Sequence, residues 1–135
     1  MIVVFPSLEW LKNLEIKLNT DTRYAEVAHK WEGDIIIVIK PEGNLREQKI
    51  YYLDLWHGKC RGVAELQEPA EREATFVLTA GYENIKRILS GKLDPMQAMM
   101  TRKLLVRGNF AVLMRNVPTV LDFVRCARES TGEVL

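Results

Sequence analysis

The side chains best suited to act on another molecule are four methionines, and the chemistry they offer is non-covalent. Met96, Met99, Met100 and Met114 are the internal four of the chain's five methionines. The first three stand at i, i+3 and i+4, which is one face of a helix. A thioether side chain has soft torsions and a polarizable sulfur, so a Met wall repacks around apolar guests of differing shape. The same stripe also builds ordinary core, and the residues alone leave both readings open. Groups with covalent chemistry are sparse. His29 and His57 are the chain's histidines, and both read as exposed, one on a helix and one in a hairpin turn. Cys60 and Cys126 lie far apart without CxxC spacing and read as reduced, partly buried thiols. No G-x-S-x-G, HExxH or phosphate-cradling glycine loop is present. The expectation is a protein that binds rather than catalyses, with no metal and no cofactor.

The elements that would position these residues follow from periodicity and capping. Ser7 caps a helix over Leu8 to Asn19, and Asp21 precedes a second carrying Tyr24, Val27, Ala28 and Trp31, so residues 7–32 form a helical segment. Glu is as common as Lys on their polar faces, which favours a lid or packing role over a membrane-surface one. Asp34 to Lys40 is apolar without a break, the pattern of a strand covered on both faces. Lys49 to Trp56 and Lys59 to Leu66 form a hairpin through His57-Gly58, and Ala74 to Ala80 alternates as a strand. Short turns between the first three strands favour an antiparallel meander. Tyr82 to Leu89 is a helix closed by Gly91, Asp94-Pro95 opens the Met-bearing helix, and Leu104 to Val106 is a short strand. Gly108-Asn109 turns into another helix, residues 118–128 form a last one, and the tail after it reads as frayed.

Composition bounds the class. The 135 residues fit a single domain, 1–135, with enough chain to bury a core. A net charge of +1 from 19 basic and 18 acidic residues, spread along the chain, argues against nucleic acid as a partner. No apolar run is long enough to span a bilayer, and no leader pattern stands at the N-terminus, so the expected compartment is the cytoplasm.

An ordered set of residues carries a resemblance. It comprises Leu53-Asp54-Leu55, Gly58-Lys59, Thr79, the block Gly91-Lys92-Leu93-Asp94-Pro95, Ala98-Met99-Met100, Lys103-Leu104 and Gly108-Asn109. In these the chain resembles the sterol carrier protein type 2 family of lipid-binding domains, most strongly over residues 31–115. The resemblance implies an α+β fold: a five-stranded, curved, largely antiparallel sheet with helices covering one face and an apolar tunnel between them. It implies a sterol-like or isoprenoid-like lipid, a fatty acid or a fatty acyl-CoA as ligand. Tunnel walls would come from Phe76 and Leu78 on the sheet, Ile85, Ile88 and Leu89 on one helix, and Met96, Met99 and Met100 on the next. Leu104, Val106, Phe110, Leu113 and Met114 would complete them. Where the family usually has a Gln-Gly pair, this chain has Thr101-Arg102, so Arg102 brings a cation to the mouth. The helix over 118–128 would plug or lengthen the tunnel. Transient membrane contact and a homodimer are further expectations. The competing reading is a closed-tunnel interaction module attached to a lipid-metabolising enzyme.

Overall fold

The computed structural model describes residues 2–135. The Ser7 hydroxyl accepts the Trp10 N–H at 3.0 Å and starts helix α1, Leu8–Thr20, whose Trp10, Leu11, Leu14 and Leu18 are buried at helical spacing. Asp21 does the same for α2, Thr22–Val27, accepting the Tyr24 N–H at 2.9 Å. This helix stops short of Trp31. The Trp31 indole instead donates to the Gly33 carbonyl at 2.8 Å and stacks on Phe76, which draws the chain off the helix and onto the sheet.

The central sheet consists of β2 (Ile35–Lys40), β3 (Lys49–Trp56), β4 (Lys59–Leu66), β5 (Phe76–Gly81) and β6 (Leu105–Arg107), in the order β4-β3-β2-β5-β6. The meander holds for β2, β3 and β4. The segment after β4 then carries the chain to the other side of β2, where β5 pairs in parallel and β6 closes the edge antiparallel to it. The sheet is therefore mixed, with one parallel pairing. Ile35, Ile37 and Ile39 of β2 face the helices, while Ile36 and Val38 face a second, smaller cluster with Ile50, Tyr52 and Leu66. That double covering is why β2 has no polar alternation. At the hairpin tip His57 and Gly58 both hold positive φ, at 49° and 78°. A Cβ on Gly58 would stand 2.7 Å from the Ala25 carbonyl oxygen, so the tip fits beneath α2 only without a side chain.

Helices α3 (Tyr82–Leu89), α4 (Pro95–Met100), α5 (Phe110–Met114) and α6 (Val117–Glu129) complete the cover of one sheet face with α1 and α2. Asp94 accepts the Gln97 N–H at 2.9 Å and Asn109 accepts the Ala111 N–H at 3.0 Å, so side-chain caps start both short helices. Helix α6 is pinned by charge. The Arg125 guanidinium donates to Asp21 at 2.7 Å and Asp122 at 2.8 Å, and Lys17 meets Glu129 at 2.8 Å. The tail is not frayed. Residues Glu133–Val134 form β7, parallel to β1 (Val4–Phe5), and Tyr82 donates its hydroxyl proton to the Leu135 carbonyl at 2.5 Å. Among the described residues no helix is long and apolar enough to cross a membrane.

Candidate functional site

Between the helices and the sheet lies an apolar cavity of about 110 Å³. Its floor is Ile37, Ile39, Tyr51 and Leu78, its walls are Ile85, Ile88 and Leu89 of α3 with Met99 and Leu104, and its roof is Val120, Phe123, Val124 and Ala127 of α6. Phe5 and Trp10 close the end nearest the termini. A smaller space of about 50 Å³, lined by Tyr24, Trp31, Leu55 and Leu113 among others, adjoins it across a partition of Leu78, Met99, Val120 and Phe123. On the outside, Met99, Met100, Arg102, Leu104, Leu105, Val106 and Phe110 line an open groove of about 660 Å³.

Met99 touches all three spaces, and Leu104 touches the main cavity and the groove. Both are buried, so two side chains stand between the interior and the outside. Leu78, Ile85, Ile88, Leu89, Met99 and Leu104 thus come together around the main cavity, Leu113 around the smaller one, and Met100, Arg102, Val106 and Phe110 on the groove. Phe76, Met96 and Met114 line none of these. Phe76 is spent on stacking with Trp31 at 5.7 Å, Met96 packs in the core, and Met114 is exposed. The sequence places the helix over 118–128 at the tunnel but names none of its residues as lining, and it does not indicate the Phe5–Trp10 end. By spacing, Val120, Leu121, Phe123, Val124 and Ala127 form the apolar side of this helix; four of them roof the cavity, while Leu121 is exposed.

The mouth has an unusual backbone. Helices α3 and α4 end in the same motif, with crossed hydrogen bonds that require a left-handed residue after the cap. In α3 that residue is Gly91 at φ 83°, with Lys92 N–H donating to the Arg87 carbonyl at 2.8 Å. In α4 it is Arg102 at φ 62°, with Lys103 N–H donating to the Ala98 carbonyl at 2.8 Å. Left-handed backbone costs a residue with a Cβ roughly 1–2 kcal/mol that glycine is spared. Arg102, Lys103, Arg107 and Arg115 are all exposed, and none is in an ion pair among the described residues.

Reactive groups are placed for stability. Burial pushes the Cys60 thiol up to about 12 and the Cys126 thiol up to about 11, which leaves both protonated and poorly nucleophilic. Asp21, Asp122 and Cys126 cluster closely enough to hold a cation, but Arg125 already bonds both carboxylates. Tyr51, on the cavity floor, has the one buried side-chain polar atom without a hydrogen bond among the described residues. Burial raises its phenol, so it remains a donor.

A mixed sheet roofed on one face by helices, with an apolar interior beside a cation-bearing groove, defines an α+β domain of the kind found in sterol carrier proteins. The chain belongs to the SCP-2 sterol transfer family, whose profile matches residues 11–120. A crystal structure of sterol carrier protein 2 is 32% identical, with 89% of this chain and 94% of that chain covered and a TM-score of 0.80. A conserved hypothetical protein of Thermus thermophilus, possibly a sterol carrier protein, is 30% identical, with 93% and 89% covered and a TM-score of 0.83. Sterol carrier protein-2 of Aedes aegypti, solved with palmitate, shares the fold at 19% identity, with 89% and 97% covered and a TM-score of 0.52. No curated protein sequence matches the chain.

Proposed function

We propose that the protein is a non-catalytic lipid carrier. It takes the apolar part of a fatty acid, fatty acyl-CoA or sterol-like molecule into the cavity under α6 and holds the polar head at the Met100–Phe110 groove. The observation that carries this reading is the shared wall: Met99 and Leu104 belong both to the interior and to the groove, so moving two side chains joins them. The palmitate held by the Aedes aegypti relative supplies a ligand of suitable class.

Magnitudes set the terms. Burial of a methylene contributes about 0.8 kcal/mol, so a chain of about 16 carbons gains on the order of 12 kcal/mol before costs. Micromolar affinity needs about 8 kcal/mol, which leaves roughly 4 kcal/mol to offset ordering of the ligand and opening of the cavity. Opening is required, because an apolar cavity of about 150 Å³ holds little more than one benzene. The partition of Leu78, Met99, Val120 and Phe123 must therefore repack, and Met99 has the softest torsions of the four. A carboxylate buried bare would cancel the gain, and the main cavity is lined by no cation. Arg102, on the groove, holds the head in this reading.

The small interior volume favours a second reading, in which the cavity stays closed and the domain serves as an accessory module of a lipid-metabolising enzyme. Native mass spectrometry with organic extraction, followed by uptake of a fluorescent fatty acid after delipidation, separates the two. The carrier reading expects a stoichiometric lipid and saturable uptake, which Met99→Trp reduces at least about tenfold by filling the junction. An empty protein that takes up no fatty acid after delipidation leaves the accessory module as the surviving reading.

A further inference from the structure

From Pro95 to Leu121 the chain holds no Asp or Glu, although acidic and basic residues balance over the whole. The cations of this stretch are Arg102, Lys103, Arg107 and Arg115, and they are interleaved with exposed apolar side chains. Met100 is 67% exposed, Leu105 48% and Phe110 37%. Met100, Arg102, Leu105 and Phe110 line the groove together, and Arg107 follows Leu105 by two residues on the edge strand β6, on the same face. Outside this stretch Lys17, Arg23, Lys49, Arg61, Lys86 and Arg125 each meet an opposite charge, and within it no cation does among the described residues.

We propose that this face docks on an anionic phospholipid bilayer. A bilayer surface satisfies both halves of the pattern, since lipid phosphates and serine headgroups take the cations while the acyl boundary takes the apolar side chains. A water-soluble polyanion would engage the cations and leave Met100, Leu105 and Phe110 in water. A second copy of the chain would set the same cations against one another. The position of the face adds a reason. It lies outside Met99 and Leu104, so a docked protein has the junction to its interior turned toward the lipid source. This last step rests on the carrier reading; the docking itself does not.

Co-sedimentation with phosphatidylcholine vesicles, alone or mixed with phosphatidylserine, tests the proposal. Binding is expected to the mixed vesicles only. It weakens as salt rises from about 0.1 M to 1 M, where the screening length falls from about 10 Å to 3 Å. Leu105→Glu weakens it about tenfold or more and Leu105→Lys weakens it less, because both lose the apolar contact while the lysine adds attraction and the glutamate adds repulsion. Equal binding to both vesicle types, no binding to the mixed ones, or equal effects of glutamate and lysine at position 105 would overturn it. Uptake of a fluorescent fatty acid from vesicle-free solution is measured alongside. Uptake without vesicle binding removes the docking face and keeps the carrier; vesicle binding without uptake keeps the docking face and removes the carrier.

Discussion

Arg102 occupies a left-handed backbone site that Gly91 fills at the equivalent end of α3, so the two helix ends form an internal comparison. A cation is kept at the groove in spite of its backbone cost. Arg102→Gly is expected to stabilise the fold by about 1 kcal/mol, raising Tm by roughly 3–6 °C. The same substitution, like Arg102→Ala, should weaken binding of a fatty acid more than that of the neutral alcohol of equal chain length. Thermal melts and paired ligand titrations measure both, and equal losses for acid and alcohol would remove Arg102 from head-group recognition. Part of this was legible in sequence. Asp94-Pro95 started α4, and the spacing of Met96, Met99 and Met100 was correctly helical. The left-handed φ was not, because the residue after a cap is fixed by where the helix stops, and Arg carries no mark of that role. Nor could spacing separate Met99 from Met96: both are buried, and only the placement of α6 and the sheet puts Met99 at the junction.

At the scale of elements, α6 matters most, since it roofs the cavity and is fastened to α1 and α2 by Arg125 and Lys17. Hydrogen bonds from the Arg125 guanidinium, with the Tyr24 N–H second, hold the Asp21 carboxyl well below the usual carboxylate range. The sign follows directly. A carboxyl whose folded pKa is depressed contributes stability above its unfolded value of about 3.9, and that contribution is lost as pH falls below it. Chemical-denaturation midpoints should therefore begin to drop near about pH 5 and go on falling below about pH 3, toward the depressed folded value, and Arg125→Met should flatten that slope. At neutral pH the same variant is expected to cost about 2 kcal/mol. That is less than the usual 3–5 for breaking a buried pair, because Arg23 still lies 3.4 Å from Asp122 and solvent reaches the cluster. An unaltered slope in Arg125→Met would remove Asp21 as its source. The helix itself was readable, as residues 118–128. Its partners were not, because Asp21 and Arg125 are distant in the chain and are brought together only by the fold.

For the molecule as a whole, local signals carried the hairpin, the caps and the double covering of β2, while two long-range pairings escaped them. The parallel match of β5 to β2 depends on which side of β2 is free once β3 has taken the other. The β1–β7 pair joins only two residues from each end, too few to announce themselves as strands. Both pairings bear on the interior, since β5 supplies Leu78 and β1 supplies Phe5. The thioethers at the junction also turn the fold into its own recorder of motion. Met100 is 67% exposed and Met99 8%, so a mild oxidant reaches the first sulfur directly and the second only while the wall between cavity and groove stands open. Peptide mapping after timed peroxide exposure should show sulfoxide on Met100 well before Met99. A tightly held lipid that keeps the wall shut should slow Met99 alone, so the lag between two neighbouring sulfurs measures how often the interior opens.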